Sequence, residues 1–179
     1  MSRRLLNFMR LADGQPYTSP QAHEKRVGVW LKKSGFKEIK YQPYGTTCHP
    51  DWLVKDGNRW IEVECKTSLK SRISFNNTPP GRDTLYVFSS KRHNDTMLFY
   101  GGDVYKRHAK KTVQIFLQQV RKLEKKFTAV CLKSKRTNPY GFVPGFRLTL
   151  QQRGGMGSTD FFAPKTRELL VKKAKQRHI

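Results

Sequence analysis

A mixed α/β fold, with a central β-sheet flanked by helices, is the architecture this sequence predicts, and three observations predict it. Asp56-Gly57-Asn58 stands between two stretches of strand-like residues, and this is the turn chemistry that joins antiparallel strands. Leu85-Tyr86-Val87-Phe88 is a short unbroken apolar run, the mark of a strand placed centrally in a sheet. Val27, Trp30 and Leu31 in one segment recur instead at helical spacing, as do Val113, Phe116, Leu117, Val120, Leu123 and Phe127 in another.

In chain order, a basic N-terminal stretch precedes Thr18-Ser19-Pro20-Gln21, where a hydroxyl cap, an early proline and a Gln three residues after Thr18 open a helix. Gly35 stops that helix near Ser34. Lys37 to Tyr44 alternates loosely as a first strand, and a Gly45-Thr46-Thr47 turn leads into Pro50 to Val54. The hairpin turn then feeds Arg59-Trp60-Ile61-Glu62-Val63-Glu64-Cys65-Lys66, while Asn76 to Gly81 reads as a loop and Met97 to Tyr100 as a further strand. The helix over 112–127 should pack its apolar face on the sheet, leaving Arg121, Lys122, Lys125 and Lys126 on the rest of its surface. Ala129 to Leu132 and Phe146 to Leu150 read as additional strands. Gly154, Gly155 and Gly157 mark a loop, and a basic helix from about Lys165 closes the chain.

With 179 residues, of which 36% are hydrophobic and 12% aromatic, the chain is the size of one ordinary domain with a real core, and residues 1–179 are read as one unit. Within it, about 19–105 and a more helical remainder, about 106–179, read as two halves. The 36 Lys and Arg against 13 Asp and Glu leave a net charge of +23, far beyond what solubility requires, so a polyanion is the expected partner. No run of about 18 apolar residues is present to span a bilayer, which favours nucleic acid over a membrane. Cys48, Cys65 and Cys131 are odd in number and widely spaced, fitting neither a disulfide framework nor a zinc ribbon, and imply a reducing, cytoplasmic setting.

The chemistry concentrates on one strand. Alternation places Glu62, Glu64 and Lys66 on one face and Ile61, Val63 and Cys65 on the other, apolar face. The hairpin brings Asp51 beside Glu64. Two carboxylates from adjacent strands suit a hard divalent cation such as Mg2+ held against a phosphodiester. Asp51 and Glu64 are therefore the expected metal ligands, and Lys66 orients the attacking water, stabilises the transition state or acts as a base. Glu62 is either a third site carboxylate or a surface acid balancing Arg59. Cys65, on the core side, reads as a packing residue rather than a nucleophile.

Pro50-Asp51, a hairpin and then Glu64-Cys65-Lys66 resembles the signature of the PD-(D/E)XK nuclease superfamily. The neighbourhood is similar to type II restriction endonucleases in particular, since the catalytic strand runs into Thr67-Ser68, a polar loop and the apolar strand from Leu85; the similarity spans about 19–105. The resemblance implies a restriction-endonuclease-like mixed sheet flanked by helices, Mg2+ with Mn2+ as substitute, cleavage of double-stranded DNA leaving a 5′ phosphate, and a homodimer. An acid from the first helix often joins such a site, and Glu24 stands where it would be expected.

Several other residues have chemistry suited to DNA. Asn76 and Asn77, or Gln151, Gln152 and Arg153, can read base edges, although Asn beside Pro79-Pro80 also serves turns. Lys110 and Lys111, within a basic cluster, suit phosphate contact or a solvated face. His49 lies beside Cys48 without partners at zinc spacing, and His23 reads as structural or surface. A site-specific double-strand endonuclease is thus the expected function. A junction resolvase or nicking enzyme shares the strand pair but reads DNA shape, whereas a non-catalytic nucleic-acid binder has no reason to gather Asp51, Glu62 and Glu64 where phosphates approach.

Overall fold

Helices α1 (Arg3–Ala12) and α2 (Pro20–Lys33) precede the strands β1 (Ile39–Tyr41), β2 (Trp52–Asp56), β3 (Arg59–Ser68), β4 (Ser74–Asn76), β5 (Leu85–Ser90) and β6 (Asp95–Tyr100). Then come α3 (Gly101–Val104), α4 (Arg107–Lys133), β7 (Thr149–Gln151) and α5 (Pro164–Gln176). This computed structural model describes residues 2–46, 48–76, 79–105, 107–133, 143, 149–151 and 160–176. Its contacts divide the chain, expected as one unit, into two compact units. One comprises Met1–Ile73, Pro80–Val104 and Gln151–Ile179; the other comprises Ser74–Pro79 and Tyr105–Leu150.

In the first unit the Gly57-Asn58 turn folds β2 onto β3, with Asp56 opposite Arg59. Gly57 takes φ +63°, a left-handed value that a side chain would strain and that a tight hairpin asks of its first loop residue. The five-stranded sheet has the order β1-β2-β3-β5-β6. β3 and β5 are parallel and every other neighbouring pair is antiparallel, so the sheet is mixed and helices flank it. β5 is buried along its whole length, as its apolar run leads one to expect.

One face of the sheet makes the core. Val54, Ile61, Val63, Cys65, Leu85, Val87, Leu98 and Tyr100 meet Leu5, Phe8, Met9 and Ala12 of α1 and Val27, Trp30 and Leu31 of α2. Each large side chain so buried contributes roughly 1.5–3 kcal/mol. Gly28 lets α2 close on the sheet, because a Cβ there would stand 2.5 Å from the Trp52 ring. On the opposite face, Phe88 and Phe99 are covered by Phe161 and Phe162.

Several expectations are corrected. The basic N-terminal stretch, for which no element was expected, is a helix: Leu5, Phe8, Met9 and Ala12 share its buried face, and the Ser2 hydroxyl accepts the Leu5 N–H at 3.1 Å. The second helix starts at Ser19 without a side-chain cap bond, and the Thr18 hydroxyl makes no hydrogen bond among the described residues. In the second unit, Ala129 to Leu132 is helix, not strand, because α4 runs unbroken to Lys133; a four-residue apolar run fits either period, and the helical spacing upstream continues through it. On α4, Phe116, Leu123, Phe127 and Val130 are more than half exposed. β4 and β7 pair as a two-stranded sheet, placing Asn76 in a strand where a loop was expected.

Within the first unit, the last helix is held by charge as well as by Leu170 and Ala174. Arg167 donates to Asp95 of β6 and, at 2.8 Å, to Asp13 at the end of α1. Its side chain is 24% exposed, so replacing it leaves two partly buried carboxylates facing each other. Arg167→Ala should cost on the order of 2 kcal/mol, below the 3–5 typical of fully buried pairs. Thermal melting by circular dichroism would register this as a loss of roughly 4–8 °C, and an unchanged melting point would show that the clamp contributes nothing.

Candidate active site

β3 presents Trp60, Glu62, Glu64 and Lys66 on the face opposite the core, because side chains alternate along a strand. The antiparallel register sets Trp52 opposite Val63, which carries Asp51, one residue earlier, to the level of Glu64. The Asp51 N–H donates to Glu64 Oε2 at 3.2 Å, and the Cys65 N–H donates to Asp51 Oδ2 at 2.8 Å. Lys66 Nζ donates to Glu64 Oε1 at 2.7 Å. Asp51, Glu64 and Lys66 are thus gathered as the sequence predicts, with Glu64 only 7% exposed.

His49 belongs to the same cluster. Its Nδ1 lies 2.8 Å from Glu64 Oε2, and its Nε2 lies 3.3 Å from the Thr84 hydroxyl and 3.4 Å from Glu62 Oε2. The single Thr84 proton is given to Glu62, at 2.6 Å, so Nε2 faces acceptors only and the arrangement suits an imidazole carrying both N–H groups. Burial pulls the His49 pKa down, but the bond to Glu64 and the charges of Glu64 and Glu62 overcome this and hold it above its ordinary value. Testing His49 only for zinc-type spacing misses this role. Its adjacency to Pro50-Asp51 was the available signal, whereas Thr84 reaches the cluster only through the pairing of β3 with β5.

The two central acids are driven apart electrostatically. Burial, then the charges of Glu64 and Glu24, push the Asp51 pKa up to about 6. Burial also pushes Glu64 up, but the His49 bond and the Lys66 ammonium outweigh it, so Glu64 is held below the ordinary carboxylate range. Asp51 is bonded through its N–H and Oδ2, and its Oδ1 makes no hydrogen bond among the described residues. No group of three or more His, Cys, Asp or Glu suited to a metal occurs among the described residues. The donor set nevertheless fits Mg2+, which takes one or two carboxylates and completes its shell with water and substrate phosphate.

The remaining candidates divide. Glu62 joins the cluster through Thr84 and His49, with its side chain about half exposed. Glu24 instead accepts from the Tyr41 hydroxyl at 2.9 Å, acting on Asp51 through charge rather than contact. Cys65 lies in the core, where burial raises its thiol pKa well above normal. His23 is fully buried, with Nε2 3.0 Å from the Val87 carbonyl oxygen, a structural role. Lys111 is exposed on α4. Asn76, Gln151 and Lys110 fall on β4, β7 and α4, with side chains outside the described residues, and Asn77, Gln152 and Arg153 lie outside them altogether. In comparisons with known proteins, the chain matches no family model and no curated protein.

The raised pKa of Asp51 has a consequence for stability. The folded chain binds this proton more tightly than the unfolded one, so the stabilising contribution is complete below about pH 4 and is lost as pH rises through about 6. Asp51→Asn keeps the shape without the charge. It should therefore raise stability at pH 7.5 by on the order of 2 kcal/mol, while the two proteins converge near pH 4. Melting curves that differ equally at both pH values would contradict the assignment.

Proposed function

We propose that the chain is a Mg2+-dependent DNA endonuclease of the PD-(D/E)XK class. One observation carries the reading: Asp51, Glu64 and Lys66 converge from two adjacent strands on a single sheet face, with one carboxylate oxygen of Asp51 unengaged. The net charge of +23 supplies the attraction to a polyanion, and acids on such a surface are useful where a cation intervenes.

In this reading Asp51 and Glu64 hold the ion, Mg2+ or Mn2+ in its place. Bound there, the ion's chemistry is to neutralise charge on the phosphate and to make water a better nucleophile. Lys66, fixed by Glu64, stands beside the reacting phosphate, where its ammonium orients the attacking water and offsets charge in the transition state. His49 positions Glu64 from the other side. One chain carries one such set, so cutting both strands in a single event calls for a second copy, and a two-fold pair naturally reads a palindromic duplex site. No helix among the described residues is long and apolar enough to cross a membrane.

Incubating plasmid with the protein and Mg2+, then sequencing the ends, tests the reading directly. A recurring palindromic motif is the expected result, whereas cleavage confined to four-way junctions would favour a resolvase. Asp51→Ala, Glu64→Ala and Lys66→Ala should each lower the rate on the order of a thousandfold, the scale of several kcal/mol of lost transition-state stabilisation, with circular dichroism unchanged. Ca2+ should support binding but not cutting. Full activity in excess chelator, or near wild-type cleavage by Asp51→Ala or Glu64→Ala, would falsify the metal mechanism.

A further inference from the structure

The face of β3 that holds Glu62 and Glu64 carries one more feature. Trp60 lies two residues before Glu62, so its indole projects on the same side. It is 41% exposed, whereas Trp30 is 8% exposed and Trp52 is half-buried beneath Tyr41. Lys55 is its direct partner across the hairpin, and Lys40 of β1 faces Leu53, itself opposite Glu62. All of them therefore share the face of the candidate site. The ammonium groups of Lys40 and Lys55 stand over the indole ring, 4.7 and 5.9 Å from its centroid. Lys55 is also paired with Glu38 at 2.8 Å, while Lys40 makes no ion pair among the described residues.

An exposed indole with ammonium groups over its ring holds partners for both parts of a nucleotide, an aromatic face for the base once the flexible lysines swing aside and a cation for the phosphate they then meet. A chain of +23 repels another basic partner while attracting nucleic acid. Bases inside a duplex are covered on both faces by their neighbours, so the ligand that fits a stacking surface is an unpaired base. We propose that Trp60, with Lys40 and Lys55, is a stacking site for an unpaired DNA nucleotide. Four residues of extended strand place it about 13 Å along β3 from Glu64. The inference rests on the endonuclease reading for its choice of DNA, and it deepens that reading by naming a nucleotide lifted from the duplex near the cut.

The experiment titrates the full chain, in chelator so that no strand is cut, with an oligothymidylate of about twelve nucleotides and separately with a long blunt duplex. The single strand should quench tryptophan fluorescence, and Trp60→Phe should abolish the quench while keeping most of the affinity. Trp60→Ala should weaken single-strand binding between about fivefold and a hundredfold. Lys40→Ala should lower the salt slope by about one phosphate. Unchanged single-strand affinity in Trp60→Ala, or a duplex that quenches as strongly as the single strand, overturns the stacking site. Should Trp60→Ala fold poorly, Trp60→Phe and Lys40→Ala decide: a quench that survives Trp60→Phe, together with an unaltered salt slope in Lys40→Ala, overturns it equally. Plasmid cleavage is scored apart from binding. Cleavage with unaltered Trp60→Ala binding removes the stacking site and leaves the nuclease, whereas quenching without Mg2+-dependent cleavage removes the nuclease and leaves the stacking site.

Discussion

Everything distinctive in this molecule depends on the register between β2 and β3. The Gly57-Asn58 turn fixes Asp56 opposite Arg59 and hence Trp52 opposite Val63, which brings Asp51 to Glu64. Because side chains alternate along a strand, a slip of one residue would turn Glu62, Glu64 and Lys66 into the core and expose Ile61, Val63 and Cys65. Burial of those apolar residues against α1 and α2 opposes that slip far more strongly than any contact within the polar cluster. The hydrophobic core therefore sets the geometry of the acids on its far side.

The cluster itself is held by opposition of charge. Glu64 is nearly buried and stays anionic because Lys66 and His49 both contact it. Asp51 is pushed toward its neutral form by the same burial and by the neighbouring acids. A site that separates two carboxylates in this way stores unfavourable charge in the folded chain, and a cation between them would relieve it. That tension is characteristic of groups arranged for function rather than for stability.

Much of this was legible beforehand. The turn, the central strand, the second helix and the closing helix all follow from local chemistry: a glycine at the required φ, an apolar run, and apolar residues at helical spacing. The assembly of Asp51, Glu64 and Lys66 was legible for the same reason, since a hairpin is a local structure whose pairing is set by a two-residue loop. The first helix was obscured by its own arginines, which drew attention to charge and away from the spacing of Leu5, Phe8, Met9 and Ala12. The end of α4 was misread because a short apolar run carries no period of its own.

Alternation and turn chemistry determined the fold class, the face of β3 that carries the acids and three residues of the candidate site, because each depends on neighbours within about a dozen positions. Only the tertiary structure decided the rest. Thr84 meets Glu62 and His49 because β5 lies parallel to β3 across a connection of sixteen residues, and Glu24 settles on Tyr41 because Gly28 lets α2 close on Trp52. Such contacts arise from how separate elements pack, and a linear pattern carries no record of which surfaces will meet.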